Sequence, residues 1–215
     1  MIDAEDLQVP GTNTLKNKFS IADPAALAHA VSDCTARRIT ELQSSPIRGG
    51  FDSYHLQEIH RYLFQDVFDW AGALRHIETG SVPATSLEES LNRSLDRLSR
   101  ENLLRGLSAE EWTRRASGYV EELRSLHPFL AGNDLAIAEF ATELARKNNL
   151  TLQWEGEPDT VSDAVAFAEQ SERSAQLRRL IMLAVDADPL AQISRRPHSL
   201  ERGSERSLQI SNPDI

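Results

Sequence analysis

Between two helical patterns the chain makes a short turn, which reads His127-Pro128-Phe129-Leu130-Ala131-Gly132-Asn133. A helix N-terminus offers unpaired backbone N–H groups and a partial positive charge, and both favour a bound phosphate. Gly132 lets a ligand approach the backbone closely, and Asn133 can cap the following helix or hold an oxygen. His127 could take a proton from an incoming hydroxyl, because the ordinary pKa of histidine lies near neutrality. On these residues alone, a purely structural corner between two helices is the competing interpretation.

On both sides of this turn, apolar residues recur at helical spacing. Asp23-Pro24 is typical of a helix start, and Ser86 and Ser108 each begin a capping-box pattern with a glutamate three residues later. Helices are predicted over about residues 25–42, 53–70, 86–103, 108–126, 134–148, 161–169 and 174–185. The fold class is therefore mostly α.

The pattern changes between residues 72 and 83, where the chain reads Ala73-Leu74-Arg75-His76-Ile77-Glu78 before the turn residues Thr79-Gly80-Ser81. Apolar and polar residues alternate there, and this alternation predicts a short strand or hairpin.

Composition and charge exclude several classes of protein. The formal net charge of −10 argues against nucleic acid as a partner, since such binding depends on Lys and Arg neutralising phosphates. There is no run of 18 apolar residues, and the N-terminus is acidic, so neither a membrane span nor a conventional secretory signal is expected. The single cysteine, Cys34, excludes an internal disulfide. His55 and His60 lie about 140° apart around a helix, so a shared metal is not expected and solvated or capping roles are predicted.

Three segments carry a resemblance to a known family. His127-Pro128-Phe129 with Gly132 and Asn133 is similar to the Fic signature, His-Pro-Phe-x-(Asp/Glu)-Gly-Asn-(Gly/Lys)-Arg. Residues 60–75 resemble the block that precedes the flap of that family, and residues 10–18 resemble its N-terminal segment. The resemblance covers about residues 10–185 and implies the Fic fold, a helical bundle with a short β-hairpin flap. It divides the chain into an N-terminal segment (1–20), a Fic domain (21–187) and a weakly ordered or peripheral tail (188–215).

The resemblance also implies a chemistry and a site. Typical Fic proteins transfer AMP from ATP, with Mg²⁺, to a hydroxyl of a target protein, and in this reading His127 is the general base. The residues implied for nucleotide and phosphate binding are Phe129, Gly132 and Asn133, and those for target docking in the flap are Ile77, Glu78, Thr79 and Gly80. The implied partners are a target protein and a small inhibitory (antitoxin-like) or chaperone protein. The implied location is the bacterial cytoplasm, or a host cell that receives the protein as an effector.

The chain departs from the family pattern at four positions. Ala131 replaces the acidic residue that holds Mg²⁺, Asp134 replaces Gly or Lys, and Leu135 replaces the phosphate-binding arginine of the signature. Family members usually carry a second phosphate-binding arginine three residues later, and Ala138 replaces it. We therefore expect weak or altered binding of ATP and Mg²⁺. Asp134 has two interpretations, a carboxylate that stabilises the first turn of a helix and a substitute metal ligand. The alternative function is a catalytically inactive Fic fold that serves as a protein-binding module, toxin or effector.

Overall fold

The computed structural model describes residues 7–78 and 80–152, and this part of the chain is mostly helical. Its α-helices are α1 (Pro24–Ser44), α2 (Ser53–Phe64), α3 (Ala84–Arg100), α4 (Ala109–Leu126) and α5 (Asn133–Lys147), and a 3₁₀ turn (Asn102–Leu104) follows α3. The mostly α prediction is confirmed. Among the described helices, none is long and apolar enough to cross a membrane.

Two helix starts follow the predicted capping chemistry. The Asp23 carboxylate accepts a hydrogen bond from the Ala26 amide at 2.8 Å, and Pro24 occupies the first position of α1. The Ser108 hydroxyl accepts from the Glu111 amide at 3.2 Å and so caps α4. The reciprocal half of the predicted box differs, because the Glu111 carboxylate pairs with Arg114.

The core lies where α5 meets α2 and α4, with α3 closing it from outside. Helix α5 is buried over most of its length, which suits a central helix of a bundle. The fully buried apolar side chains that define the core include Leu56, Ile59, Leu63, Leu91, Leu98, Trp112, Leu123, Ile137 and Ala145. Because these residues recur every three or four positions, each helix turns one stripe inward.

Helix α2 is shorter than predicted. It ends at Phe64, and the chain then turns, with the amides of Val67 and Phe68 both donating to the Phe64 carbonyl. Val67 and Phe68 are nevertheless buried. Their burial continues the apolar spacing of α2 beyond its end, which is why periodicity alone predicted helix as far as residue 70.

Helix α3 begins two residues before the predicted cap. Pro83 stands at the N-cap and Ala84 opens the helix, while the Ser86 hydroxyl donates to the Pro83 carbonyl. The carboxylate of Glu78 instead accepts from the Ala84 amide, with distances of 3.3 and 3.4 Å. The prediction of a Ser86 cap is therefore wrong, since a side chain from the preceding segment satisfies that amide.

The predicted strand or hairpin is not observed: the structure describes no strand between residues 72 and 83, Thr79 lying outside the described residues. The backbone hydrogen bonds of this segment go to other elements. The Arg75 amide donates to the Pro128 carbonyl and the Ser81 amide donates to the Ser125 carbonyl, both at 2.9 Å. The segment thus lies against the end of α4 and the turn after it, and its backbone bonds to these elements replace those of a hairpin.

Several predictions lie outside the described residues. These are the helices over residues 161–169 and 174–185, the tail from residue 188, and Thr79.

Candidate functional site

The His127–Asn133 turn joins α4 to α5 through two left-handed residues. His127 is the C-cap of α4, with φ 51° and ψ 62°, and its amide donates to the Arg124 carbonyl at 3.2 Å. Gly132 is the N-cap of α5, with φ 76°. The turn therefore places the half-buried His127 next to a helix N-terminus, as the sequence predicts.

Gly132 is required at its position for two reasons. Its positive φ is disfavoured for residues with a side chain, and a Cβ there would lie 2.3 Å from the Cζ atom of Phe64. The backbone of the turn thus rests directly on the ring of Phe64 at the end of α2.

Asn133 braces the turn from within. Its Oδ1 accepts from the Phe129 amide at 2.8 Å, and its Nδ2 donates to the Phe129 carbonyl at 2.9 Å. The residue is 6% exposed and occupies the first position of α5, while Gly132 takes the cap position expected for Asn133. Its side chain is thus engaged inside the turn, and phosphate binding here stays a prediction for the backbone amides.

Phe129 is fully buried and stacks on His60, with ring centroids 3.8 Å apart. His60 is also fully buried, and burial lowers its pKa to about 4. His55 is 1% exposed and lies 2.9 Å from the carboxylate of Glu143. Of the two predicted roles, solvated or capping, the solvated one is wrong for both histidines, because the face of α2 that carries them packs on the turn and on α5.

Arg75 fastens the predicted flap, residues 77–80, to the end of α4, and sequence reasoning gave it no role. It is 4% exposed, and its guanidinium donates to the carbonyls of His127, Ile77 and Val82, each at 2.7 Å, and to that of Leu126 at 3.2 Å. Burial lowers the pKa of Arg75, and the carbonyls compensate for the desolvated charge. No local feature of the sequence marks Arg75 as buried, because it stands between Leu74 and the polar His76.

The flap residues lie at different places around His127. A Cβ on Gly80 would lie 2.8 Å from the Cβ of His127, so this glycine, with φ 79°, allows close contact. Ile77 and Leu130 line a small apolar depression together with Trp70 and Leu74. Glu78 points toward α3, which it caps.

An ion pair joins the two helices across the turn. The Nε of Arg124 on α4 lies 2.6 Å from Oδ1 of Asp134 in the first turn of α5. Leu135 is half-buried and packs against the core. Within residues 7–78 and 80–152, no group of three or more His, Cys, Asp or Glu side chains could hold a metal ion.

Comparisons with known proteins agree with this geometry. The Fic/DOC family model matches residues 50–145. A probable protein adenylyltransferase Fic of Salmonella typhimurium is 35% identical over 152 residues, covering 68% of this chain and 75% of that protein. This chain belongs to the Fic/DOC family. The predicted family is thereby confirmed.

Other relatives of this Fic/DOC protein include longer chains. The protein adenylyltransferase VbhT of Bartonella schoenbuchensis is 36% identical over 151 residues, which is 68% of this chain but only 32% of VbhT. The chain thus spans about a third of that relative.

Solved structures share the fold. The BepC protein of Bartonella tribocorum, a VirB-translocated effector with bound AMPPNP, superimposes with a TM-score of 0.71 at 24% identity, over 84% of this chain and 96% of that one. The type IV secretion system effector protein BepA gives a TM-score of 0.66 at 29% identity, over 72% and 59% of the two chains. The predicted Fic fold is therefore confirmed, apart from the β-hairpin.

Proposed function

We propose that this Fic protein is a protein-modifying nucleotidyltransferase that transfers AMP from ATP to a hydroxyl of a target protein, with reduced or altered activity. The observation that carries the proposal is the turn itself. It joins His127, the C-cap of α4, to Gly132, the N-cap of α5, and the flap residue Gly80 lies against His127. The naming of several relatives as protein adenylyltransferases gives this arrangement its chemistry.

In the proposed reaction, the hydroxyl oxygen of the target attacks the α-phosphorus of ATP. The bond from that phosphorus to the oxygen bridging to the β-phosphorus breaks, and pyrophosphate leaves. His127 takes the proton of the hydroxyl as general base. The backbone amides at the start of α5, from Gly132 and Asn133 onward, hold phosphate oxygens through the helix N-terminus. Phe129, buried beneath the turn, supports this backbone rather than contacting the nucleotide by its ring.

The phosphate site is weaker than the family signature predicts. Leu135 and Ala138 stand where the family has arginines, and Leu135 packs against the core. A charge-assisted hydrogen bond contributes about 1.5–3 kcal/mol, so losing two lowers triphosphate or transition-state binding by roughly 3–6 kcal/mol. This corresponds to a factor of about 10²–10⁴ in affinity or rate.

Asp134 adds less repulsion than its charge alone suggests, because Arg124 neutralises it at 2.6 Å. The same ion pair argues against a substitute metal site, since the carboxylate already has a cationic partner. Ala131 offers no side-chain oxygen to a metal. These residues do not fit an ordinary Mg²⁺ site.

A second candidate function is a catalytically inactive Fic fold that binds a protein partner. Two contacts favour it. Leu135, at the position of a phosphate-binding arginine, packs on the core, and Asp134, at the Gly/Lys position of the signature, pairs with Arg124. Under this alternative the flap and the acidic surface of the protein bind a partner protein, and no reaction is catalysed.

We extend the proposal to the biological setting. Structural neighbours named as VirB-translocated or type IV secretion system effectors support delivery into a host cell, and the bacterial cytoplasm is the alternative location. A target protein and a small inhibitory (antitoxin-like) or chaperone partner belong to the same proposal. So do the boundaries of the N-terminal segment (1–20), the Fic domain (21–187) and the tail (188–215).

Label transfer from radioactive ATP, and separately from the other nucleoside triphosphates, into bacterial and host-cell lysates tests the proposal. Wild type is compared with His127→Ala and with a restored variant carrying Ala131→Glu, Asp134→Gly, Leu135→Arg and Ala138→Arg. Labelling by wild type that disappears in His127→Ala supports the transferase. Labelling by the restored variant alone, abolished when His127→Ala is added to it, supports the binding protein. Absence of labelling from every variant, each with an intact melting transition, refutes the nucleotidyltransferase.

A further inference from the structure

A buried histidine links the flap segment to the turn that carries His127. His60 lies on α2 and is 0% exposed. Its ring stacks on Phe129 with an interplanar angle of 18° and a centroid distance of 3.8 Å. Both of its nitrogens have backbone partners, at Gly72 and at Ala131.

These partners define the tautomer of the ring. The Gly72 amide donates to Nδ1 at 2.9 Å, so Nδ1 carries a lone pair and no proton. The neutral ring then carries its hydrogen on Nε2, which donates to the Ala131 carbonyl at 2.9 Å. A protonated imidazole would lose the bond from Gly72, because both nitrogens would then be donors. Burial favours the neutral form, as its pKa of about 4 indicates.

The bond to Ala131 fixes the direction of the peptide plane between Ala131 and Gly132. In a planar trans peptide the C=O and the N–H point in opposite directions. A carbonyl held toward the buried ring of His60 therefore points the Gly132 N–H away from that ring. Gly132 has room to adopt this conformation because it lacks a Cβ against Phe64.

We propose that His60 is a positioning residue of the transferase: its neutral ring holds the Ala131 carbonyl so that the Gly132 amide faces the phosphate of the donor. The effect on nucleotide binding rests on the proposed function, whereas the effect of His60 on the geometry of the turn does not. By accepting from Gly72 as well, the same ring fixes the residue that leads into the flap. Turn and flap are thus aligned by one side chain, before any substrate is present.

A matched control lies on the same helix. His55 is equally buried, and its ring likewise accepts from a backbone amide, that of Phe51 at 3.3 Å, and lies 3.1 Å from a backbone carbonyl, that of Ile47. It fastens the segment before α2 rather than the His127 turn. Replacing either histidine by phenylalanine keeps an aromatic ring and removes the bonds to backbone groups. The two changes differ in location and in one further contact, since His55 Nε2 also lies 2.9 Å from the Glu143 carboxylate.

Hydrogen–deuterium exchange on the full chain without nucleotide tests the geometry. In His60→Phe we expect exchange to quicken by about tenfold or more in peptides covering residues 72–75 and 129–133, as one lost hydrogen bond implies, with residues 137–145 unchanged. His55→Phe should instead quicken residues 47–52. His60→Gln, whose amide can again donate to Ala131, should recover part of the protection of the turn. Equal exchange of the turn in the His60→Phe and His55→Phe variants, or no recovery in His60→Gln, would overturn the inference.

Two further measurements keep the outcomes separate. Nitrogen NMR of wild type should show His60 protonated on Nε2 only. The ring should not titrate between pH 5.5 and 8.5, because its lowered pKa lies below that range. A ring that is protonated on Nδ1, or that titrates in this range, would refute the assignment even if His60→Phe does not fold. Titration with ATP should give a dissociation constant at least about tenfold higher for His60→Phe than for His55→Phe. If wild type neither binds nor transfers a nucleotide, the proposed function fails, while the exchange and NMR results still decide the role of His60 in shaping the turn.

Discussion

Replacing Gly132 by alanine should destabilise the fold more than the same change at a left-handed glycine where the new methyl group would contact no other atom. Two effects add. The positive φ of 76° costs alanine about 1–2 kcal/mol. The new Cβ would lie 2.3 Å from Cζ and 2.5 Å from Cε2 of Phe64, and forcing a methyl into a packed site costs about 1–3 kcal/mol. The expected loss in the free energy of unfolding is therefore about 2–5 kcal/mol.

The chain supplies controls for each effect. Gly106 has φ 78°, and a Cβ added to it would meet no atom within 4 Å beyond its chain neighbours, so Gly106→Ala should lose only the conformational share, about 1–2 kcal/mol. Gly118 is exposed inside α4 and also has open space, so Gly118→Ala should stabilise the protein by about 1 kcal/mol. Combining Gly132→Ala with Phe64→Leu should cost less than the sum of the two single changes, because the smaller side chain relieves the overlap.

Urea unfolding followed by circular dichroism measures all five variants under one condition. A Gly132→Ala variant that loses no more stability than Gly106→Ala would refute the contact with Phe64. Strict additivity of the double variant would refute it in a second way. Either result would mean that the turn can move off the ring of Phe64 and that its geometry is not fixed by this contact.

Two other predictions concern groups away from the turn. Burial raises the pKa of Glu139 to about 7, so the stability that this carboxyl contributes is complete below about pH 4.5 and is lost as the pH rises through 7. Between pH 5 and pH 8.5, the free energy of unfolding of Glu139→Gln should therefore rise relative to that of wild type by up to about 3 kcal/mol, as measured by urea unfolding. A difference that does not change with pH would contradict the raised pKa. Ser108→Ala should lower the free energy of unfolding by about 1 kcal/mol through loss of the α4 cap, whereas Ser86→Ala, which removes no cap, should lower it by less. Thermal melts of the two variants compare these losses, and equal losses would contradict the assigned caps.

The site could be found from the sequence because its parts are contiguous. His127, Gly132 and Asn133 lie within seven residues. The helices on both sides are predicted from the spacing of their apolar residues, which one sequence is enough to show. The residues that position this turn come from farther away. His60 and Arg75 reach it from α2 and from the flap segment, and nothing local distinguishes them from surface residues of the same types.

Errors at the boundaries have the same origin. The apolar pattern of α2 continues through Val67 and Phe68 because the turn after the helix packs on the core, so spacing predicted helix where the chain bends. The Ala84 amide at the start of α3 is satisfied by Glu78, six residues earlier, which lies outside the capping-box spacing that predicted a cap at Ser86. The expected hairpin fails because Arg75 and Ser81 donate their amides to the turn and to α4.

By itself the sequence determined the mostly α class, the starts of α1 and α4, and the turn between α4 and α5. Each of these depends on residues within a few positions of one another, where caps, periodicity and glycine conformations act locally. Only the tertiary structure decided that Arg124 neutralises Asp134, that Arg75 binds the carbonyls at the end of α4, and that His60 lies under the turn. Those contacts join groups distant in the chain, and their energies depend on burial, which only the packed helices create.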